Sequence, residues 1–368
     1  MVGSFTEFLL QRTVIMTNPM KIHFLSQEAQ LRAGCLDMKA AIDVVEKVLV
    51  DYDRGRVLYP DKTVQIFDEV LQSRINCLPA TLLDEKVCGM KWVSVFPGNP
   101  ALFGLQNQSA VLLLSSLETG FPIAFMEGAL CSNLRTAAVG ACAAKYLARA
   151  DSKEIGFIGA GEMARMHLVG MKTVLPELKV CRVSSRTAAR EDEFIAQMAP
   201  LFPEMEFIAC RSDYKKAAEG ADVIVTAISG QEPLLHGAWC KKGAFYCHVA
   251  GWEDDDETAL KADKIVCDRW DVVKHRTQTI SRLYKNGRLR DEDIHADLSE
   301  IIEGKKAGRE REDEFIYFNS VGLSYVDVAM AWSFYQKAKH LAVELPLQES
   351  SIFSHPLLPA GNGSFLLK

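Results

Sequence analysis

The hydrophobic and polar positions of this chain change rhythm several times, and each change marks a different kind of element. KIHFLS (21–26) reads as a first strand. After Asp37, the residues Ile42, Val44, Val45, Val48 and Leu49 fall near helical spacing and predict an amphipathic helix. From about 57 to 128 the pattern becomes short β-like runs, VQIF, KWVSVF, SAVLLLS and PIAFMEG. Pro97-Gly98-Asn99-Pro100 and Glu118-Thr119-Gly120 separate some of these runs as turns, which together predict an antiparallel layer. NLRTAAVGACAAKYLAR (133–149) follows as a helix rich in small residues. Beyond 154, strands alternate with helices: VCRVSS, MEFIAC, ADVIVTAIS, AFYCHVAG and KIVCD. That alternation predicts a parallel, doubly wound sheet. SYVDVAMAWSFYQKAKHL (324–341) is a last amphipathic helix, and the end, with Pro356, Pro359 and GNGS, reads as a tail.

The fold class is therefore α/β, a Rossmann-type sheet inserted into a second, β-rich α+β domain. The expected division is an N-terminal extension at 1–20, a β-rich domain at 21–132 plus 325–368, and a dinucleotide-binding domain at 133–324. A length of 368 residues suits two domains. The apolar patch in MVGSFTEFLLQRTVIM is broken by Glu7, Gln11 and Arg12, a poor signal peptide; the segment reads as a disordered arm, with Met16 or Met20 as alternative starts.

A net charge of −6 argues against a nucleic-acid partner, which needs a basic face. No apolar run approaches the roughly 20 residues that span a bilayer, so no membrane partner is expected. The ten cysteines lie scattered with no C-x-x-C pair, which suggests reduced core thiols in a cytoplasmic protein and no metal site.

The sharpest motif is EIGFIGAGEMA (154–164), a short buried strand followed by G-x-G-x-x-A opening a helix. Gly159 permits the tight turn, Gly161 lets a pyrophosphate approach the backbone, and Ala164 allows close helix packing. Ala160, Glu162 and Met163 complete the turn at the helix N-terminus, whose free N–H groups favour an anion. The second strand ends Ser184-Ser185-Arg186-Thr187, with no acid for a ribose 2′-hydroxyl. A hydroxyl and an arginine there suit a 2′-phosphate, so the expected cofactor is NADP, with NAD possible; Arg186 stacking on adenine would serve either.

KWVSVFPGNP (91–100), LETGFPIAFMEGALCSNLRTAA (117–138), the GAGEMA turn, ADVIVTAIS and FNSVGLSYVDVA (318–329) together resemble the ornithine cyclodeaminase/μ-crystallin family, over about 25–330. The resemblance implies a homodimer and nicotinamide chemistry on a small α-amino acid or its imine. It implies that Arg135 binds the substrate carboxylate and that Lys91 faces the substrate, where a guanidinium and a second cation suit a carboxylate. It places Thr136 near the cofactor phosphates, Ile228 in the cofactor crevice, and Asn319 and Ser320 over the nicotinamide. Lys62 stands where the family usually has an arginine, which keeps the charge and loses the fork geometry. Where cyclodeaminases carry Gly-Gly-Asp, this chain reads Ala250-Gly251-Trp252-Glu253-Asp254. Glu253 is then the expected acid/base and Trp252 a bulky wall that reshapes the pocket. Asp254 replaces Glu253 if the register slips, and a merely solvated acidic loop is the alternative. His248, on a core strand, reads as structural.

Three functions follow: hydride transfer at Cα of an amino acid or imine, cyclodeamination of ornithine with the cofactor recycled, and NADPH-dependent ligand binding without turnover. Retention of Arg135, Lys91 and an acid at 253 favours an enzyme, and net redox is placed ahead of cyclodeamination.

Overall fold

The computed structural model describes residues 20–228 and 232–348; the expected N-terminal arm, the tail and Ser229 lie outside them, Met20 excepted. In chain order the first seven strands are β1 (Met20–Leu25), β2 (Val57–Leu58), β3 (Thr63–Asp68), β4 (Ser73–Leu82), β5 (Val87–Val95), β6 (Gln108–Ser116) and β7 (Pro122–Glu127). β4 to β7 form an antiparallel meander, β1 runs parallel to β7, and β2 and β3 both pair with β4. The strand β4 has no counterpart among the β-like runs read from the sequence, because Pro79 interrupts it. The register removes the difficulty. β3 ends its pairing at Cys77 and β2 begins at Thr81, so Pro79 falls between them, where no outer neighbour asks for an N–H.

The helix predicted after Asp37 forms as α1 (Met38–Asp53), with the Asp37 carboxylate accepting from Ala40 N at 3.1 Å. The small-residue helix, α2 (Ala129–Leu147), starts four residues earlier than read, because Glu127 accepts from the N–H groups of Ala129 and Leu130. Its alanines 137, 138, 141, 143 and 144 are fully buried, which lets neighbouring helices and sheets approach closely.

The second sheet contains β8 (Glu154–Ile158), β9 (Val180–Ser184), β10 (Glu206–Ala209), β11 (Val223–Thr226), β12 (Phe245–His248), β13 (Lys264–Cys267), β14 (Ala296–Asp297) and β15 (Ile316–Asn319). Their order is β10-β9-β8-β11-β12-β15-β13-β14 and every pairing is parallel. The reversal of order beside β8 is the crevice where such sheets take a dinucleotide. Helix α3 (Glu162–Val174) follows β8, α4 (Ala188–Met198) follows β9, and α5 (Ser324–Ala338) follows β15 and returns to the first sheet. The chain then adds β16 (Val343–Gln348), antiparallel to β1, in a segment that carried no clear strand pattern. Among the described residues no helix is long and apolar enough to cross a membrane.

Candidate active site

The parallel register aligns Ser184, Ile158, Thr226, His248 and Asn319 at one edge of the second sheet. The residues that follow each strand therefore share one crevice. Gly159 has φ +111°, and a Cβ there would lie 2.3 Å from the Ala227 carbonyl oxygen, so only glycine fits. At Gly161, by contrast, a Cβ would meet nothing within 4 Å: the space above the α3 N-terminus is open. Ala164 is fully buried against the sheet. A closed turn beneath an open helix terminus is what a pyrophosphate needs, so these residues fit a dinucleotide. Ala160, Glu162 and Met163 line the same turn. Ile228 and Ser320 sit past the ends of β11 and β15, and Ser320 N donates to the His248 carbonyl at 3.2 Å. Thr136 spends its hydroxyl on the Ser132 carbonyl one turn back in α2, at 2.7 Å.

Facing this crevice, the first sheet and two helices assemble an ion cluster. Lys91, on β5, is 2% exposed and donates from Nζ to Asp327 Oδ1 at 2.7 Å, with Ser132 Oγ at 3.3 Å. Arg135, on α2, donates from Nε to the same Asp327 oxygen at 2.7 Å. Asp327, on α5, is fully buried; burial alone would raise its carboxyl, but Arg135 and Lys91 hold it below the usual carboxylate range. Burial first, and the Arg135 charge second, push the Lys91 ammonium down to about 8, with Asp327 pulling the other way.

The loop after β15 closes over Arg135. A Cβ on Gly322, which has φ +78°, would lie 3.0 Å from Arg135 Nη1. Asp268, at the end of β13, pins this loop by accepting from Val321 N at 2.8 Å and Gly322 N at 3.0 Å. Burial raises the Asp268 carboxyl to about 6, against those N–H donors. With Nε committed to Asp327, the Nη edge of Arg135 has no hydrogen-bond partner among the described residues, directly beneath the loop that leaves the cofactor crevice.

Asp327 was not singled out from the sequence. The signal was present: it is a charged residue within the apolar run of SYVDVAMAW, and a fully buried carboxylate demands a cation.

The structure gives Glu253 a different role from the acid/base expected of it. It is fully buried, and Oε2 accepts from Thr226 Oγ1 at 2.8 Å, Val249 N at 3.1 Å and Ala250 N at 2.9 Å, while Oε1 accepts from Ile228 N at 2.8 Å. Four donors on one carboxylate, three of them on Oε2, make it a clamp that ties the loops after β11 and β12. Asp254 is no substitute: it is fully buried, accepts from Thr279 Oγ1 at 2.7 Å and Tyr317 Oη at 3.2 Å, and burial keeps its carboxyl well above the usual range. His248 belongs to the same enclosed group, 3.4 Å from Asp254, and burial lowers its ring. Trp252 does not wall the carboxylate seat. It lies under the Arg282 guanidinium, 4.0 Å from the ring centre, beside an outer groove of about 720 Å³ that also includes Asp255 and Arg288.

A glycine cradle at a parallel sheet edge, opposite a buried pair of cations, defines a dinucleotide-dependent enzyme of small carboxylates. The chain belongs to the ornithine cyclodeaminase/mu-crystallin family, whose model matches residues 26–341. It is 31% identical over 320 residues to N-((2S)-2-amino-2-carboxyethyl)-L-glutamate dehydrogenase of Staphylococcus aureus, covering 86% of this chain and 95% of that protein. The solved Δ1-pyrroline-2-carboxylate reductase of Thermococcus litoralis, in complex with NADH and L-proline, superposes with a TM-score of 0.82 at 31% identity, covering 88% of this chain and 99% of that one. An archaeal alanine dehydrogenase dimer with bound NAD gives a TM-score of 0.80 at 31% identity, covering 89% and 99%.

These relatives correct the NADP expectation, because both solved proteins hold the cofactor without the 2′-phosphate. Arg186 is exposed and has no ion-pair partner among the described residues, and Ser185 and Thr187 border the same turn. Beneath this turn, fully buried Glu191 of α4 accepts from Ser185 N at 3.0 Å, Ser212 N at 2.7 Å and Arg211 N at 2.6 Å, which ties the loops after β9 and β10 together.

Proposed function

We propose that this chain interconverts a small α-amino acid and its imine with NAD(H), with the α-carboxylate seated on Arg135 and Lys91. The observation that carries this reading is the convergence of both cations on one oxygen of Asp327, beneath the loop that leaves the cofactor crevice. The nicotinamide, when bound, supplies or accepts a hydride at Cα. Arg135 presents its Nη edge to the carboxylate, Lys91 adds a second cation, and Asp327 holds both in register. Lys91, with its ammonium held near 8, delivers the proton at the substrate nitrogen and recovers it close to neutral pH. The buried walls around Asp327 exclude water from this exchange.

Glu253 holds the crevice loops and takes no proton. Cyclodeamination would need an accessible carboxylate to act on a second amine, whereas Glu253 is held by four internal donors and Asp254 is fully buried. Net oxidoreduction is therefore the reading the geometry favours.

We further propose a homodimer joined through the first sheet. β3 and the turn after it expose Val64, Ile66, Phe67, Val70 and Leu71, an apolar surface suited to a partner copy. Ten free thiols fit a reducing compartment such as the cytoplasm.

The test is NADH consumption by the purified protein with cyclic imino acids and with 2-oxo acids plus ammonia, with amino-acid product measured alongside. Stoichiometric amino acid and oxidised cofactor are expected. Ammonia released from ornithine with no net change in cofactor would overturn the reading in favour of cyclodeamination.

A further inference from the structure

Beyond the pair that shares Asp327, the cleft holds three more cations. Thr63↔Cys77 and Val64↔Asn76 continue to place Lys62 on the face of β4 that carries Arg74, and the β4–β5 register puts Lys91 on that same face, opposite Leu78. From the other side, Arg276 projects from the loop between the short helix Trp270–Val273 and the helix Thr279–Lys285. Gln278 anchors that loop to the Ala250 carbonyl at the cofactor edge, at 3.0 Å. None of Lys62, Arg74 and Arg276 pairs with a carboxylate among the described residues. Arg74 donates only to the Gln72 carbonyl, at 2.9 Å, and Arg276 Nε is buried with no partner. Burial, then Arg276, Arg74, Lys91 and Arg135 in that order, push the Lys62 ammonium down to about 8. Lys62 therefore feels the positive charge of all four of these groups.

Five cations against the two buried carboxylates of this cleft, Asp327 and Asp268, still exceed what one substrate carboxylate needs. Self-repulsion among half-buried like charges is costly, and it is relieved when an anion enters. We propose that Lys62, Arg74 and Arg276 form a second anion seat, and that the substrate is an amino or imino acid bearing a further carboxylate on its side chain. This rests on the reading that Arg135 and Lys91 seat the α-carboxylate, and it gives the lysine at 62 a use: a point charge between the two seats, reachable by either carboxylate.

The experiment compares 2-oxoglutarate with 2-oxopentanoate, which has the same carbon chain and a methyl in place of the distal carboxylate. Each is titrated into the full-length protein saturated with NADH, and dissociation constants are read by calorimetry. The expected result is tighter binding of 2-oxoglutarate by roughly tenfold or more, as for an added charge-assisted contact. In Arg74→Gln and in Arg276→Gln that advantage collapses towards the affinity of 2-oxopentanoate, while the thermal midpoint and NADH affinity report that the fold survives. Equal affinities in the parent protein would overturn the second seat and leave the α-carboxylate reading standing. Variants that weaken both ligands alike would also overturn it. Failure of both ligands to bind would overturn the two readings together.

Discussion

Two buried carboxylates stand on opposite sides of the same cleft, Asp327 on α5 and Glu253 after β12, and both are fully enclosed. Their partners separate them. Asp327 receives two cations on one oxygen, Lys91 and Arg135, each with donors still available to a ligand. Glu253 receives a hydroxyl and three backbone N–H groups, all neutral, which tie it to the loops around it. The first arrangement stores binding capacity for an anion, and the second stores loop geometry for the cofactor crevice. What donates to a buried acid says more about its task than its closeness to an active site.

Neutralising the two acids should break this symmetry. Asp327→Asn leaves Lys91 and Arg135 buried without a counter-charge, so a stability loss of about 3–5 kcal/mol by denaturant titration is expected, together with near loss of turnover. A variant of unchanged stability and activity would remove Asp327 from the cluster. Arg135→Lys keeps the charge and loses the fork. The KM for carboxylate substrates should rise by the worth of a charge-assisted contact, about 1.5–3 kcal/mol, with NADH affinity little changed. An unmoved KM would place the substrate elsewhere.

The Lys91 ammonium, depressed to about 8, sets the direction of the pH dependence. Imine reduction needs the protonated form, so kcat/KM should fall above about pH 8, by about tenfold per pH unit. Lys91→Arg, charged throughout, should lose that limb along with most of the rate. A profile flat to pH 10 would exclude Lys91 as the proton donor. The smallest chemical effect is expected of Glu253→Gln. It should cost about 1–3 kcal/mol of stability through unsatisfied loop donors and loosen NADH a few-fold, while the pH profile keeps its shape. Loss of a pH limb in that variant would restore Glu253 to catalysis.

Much of this was legible in the sequence because it is local. The strand–glycine–helix turn at 154–164, the alternation beyond it and the cap at Asp37 each depend on neighbours a few residues apart. The resemblance supplied Arg135 and Lys91. Asp327 stayed hidden because its partners lie 236 and 192 positions away, and only folding brings β5, α2 and α5 together. β4 was missed because Pro79 argues against a strand unless the gap between β2 and β3 is known. The cofactor reading rested on the Ser184–Thr187 strand end alone, and the NADH- and NAD-bound relatives overrule it. Glu253 shows the opposite case, in which the place of a family motif suggests chemistry and the hydrogen bonds favour a structural clamp.

The most direct test is crystallography of the NADH complex with a slowly turned-over amino or imino acid, locating the α-carboxylate. The account predicts carboxylate oxygens within hydrogen-bond distance of Arg135 Nη and Lys91 Nζ, with Glu253 still bound to Thr226 and the loop N–H groups. A carboxylate seated elsewhere, or Glu253 released from its donors and turned towards the substrate nitrogen, would contradict it.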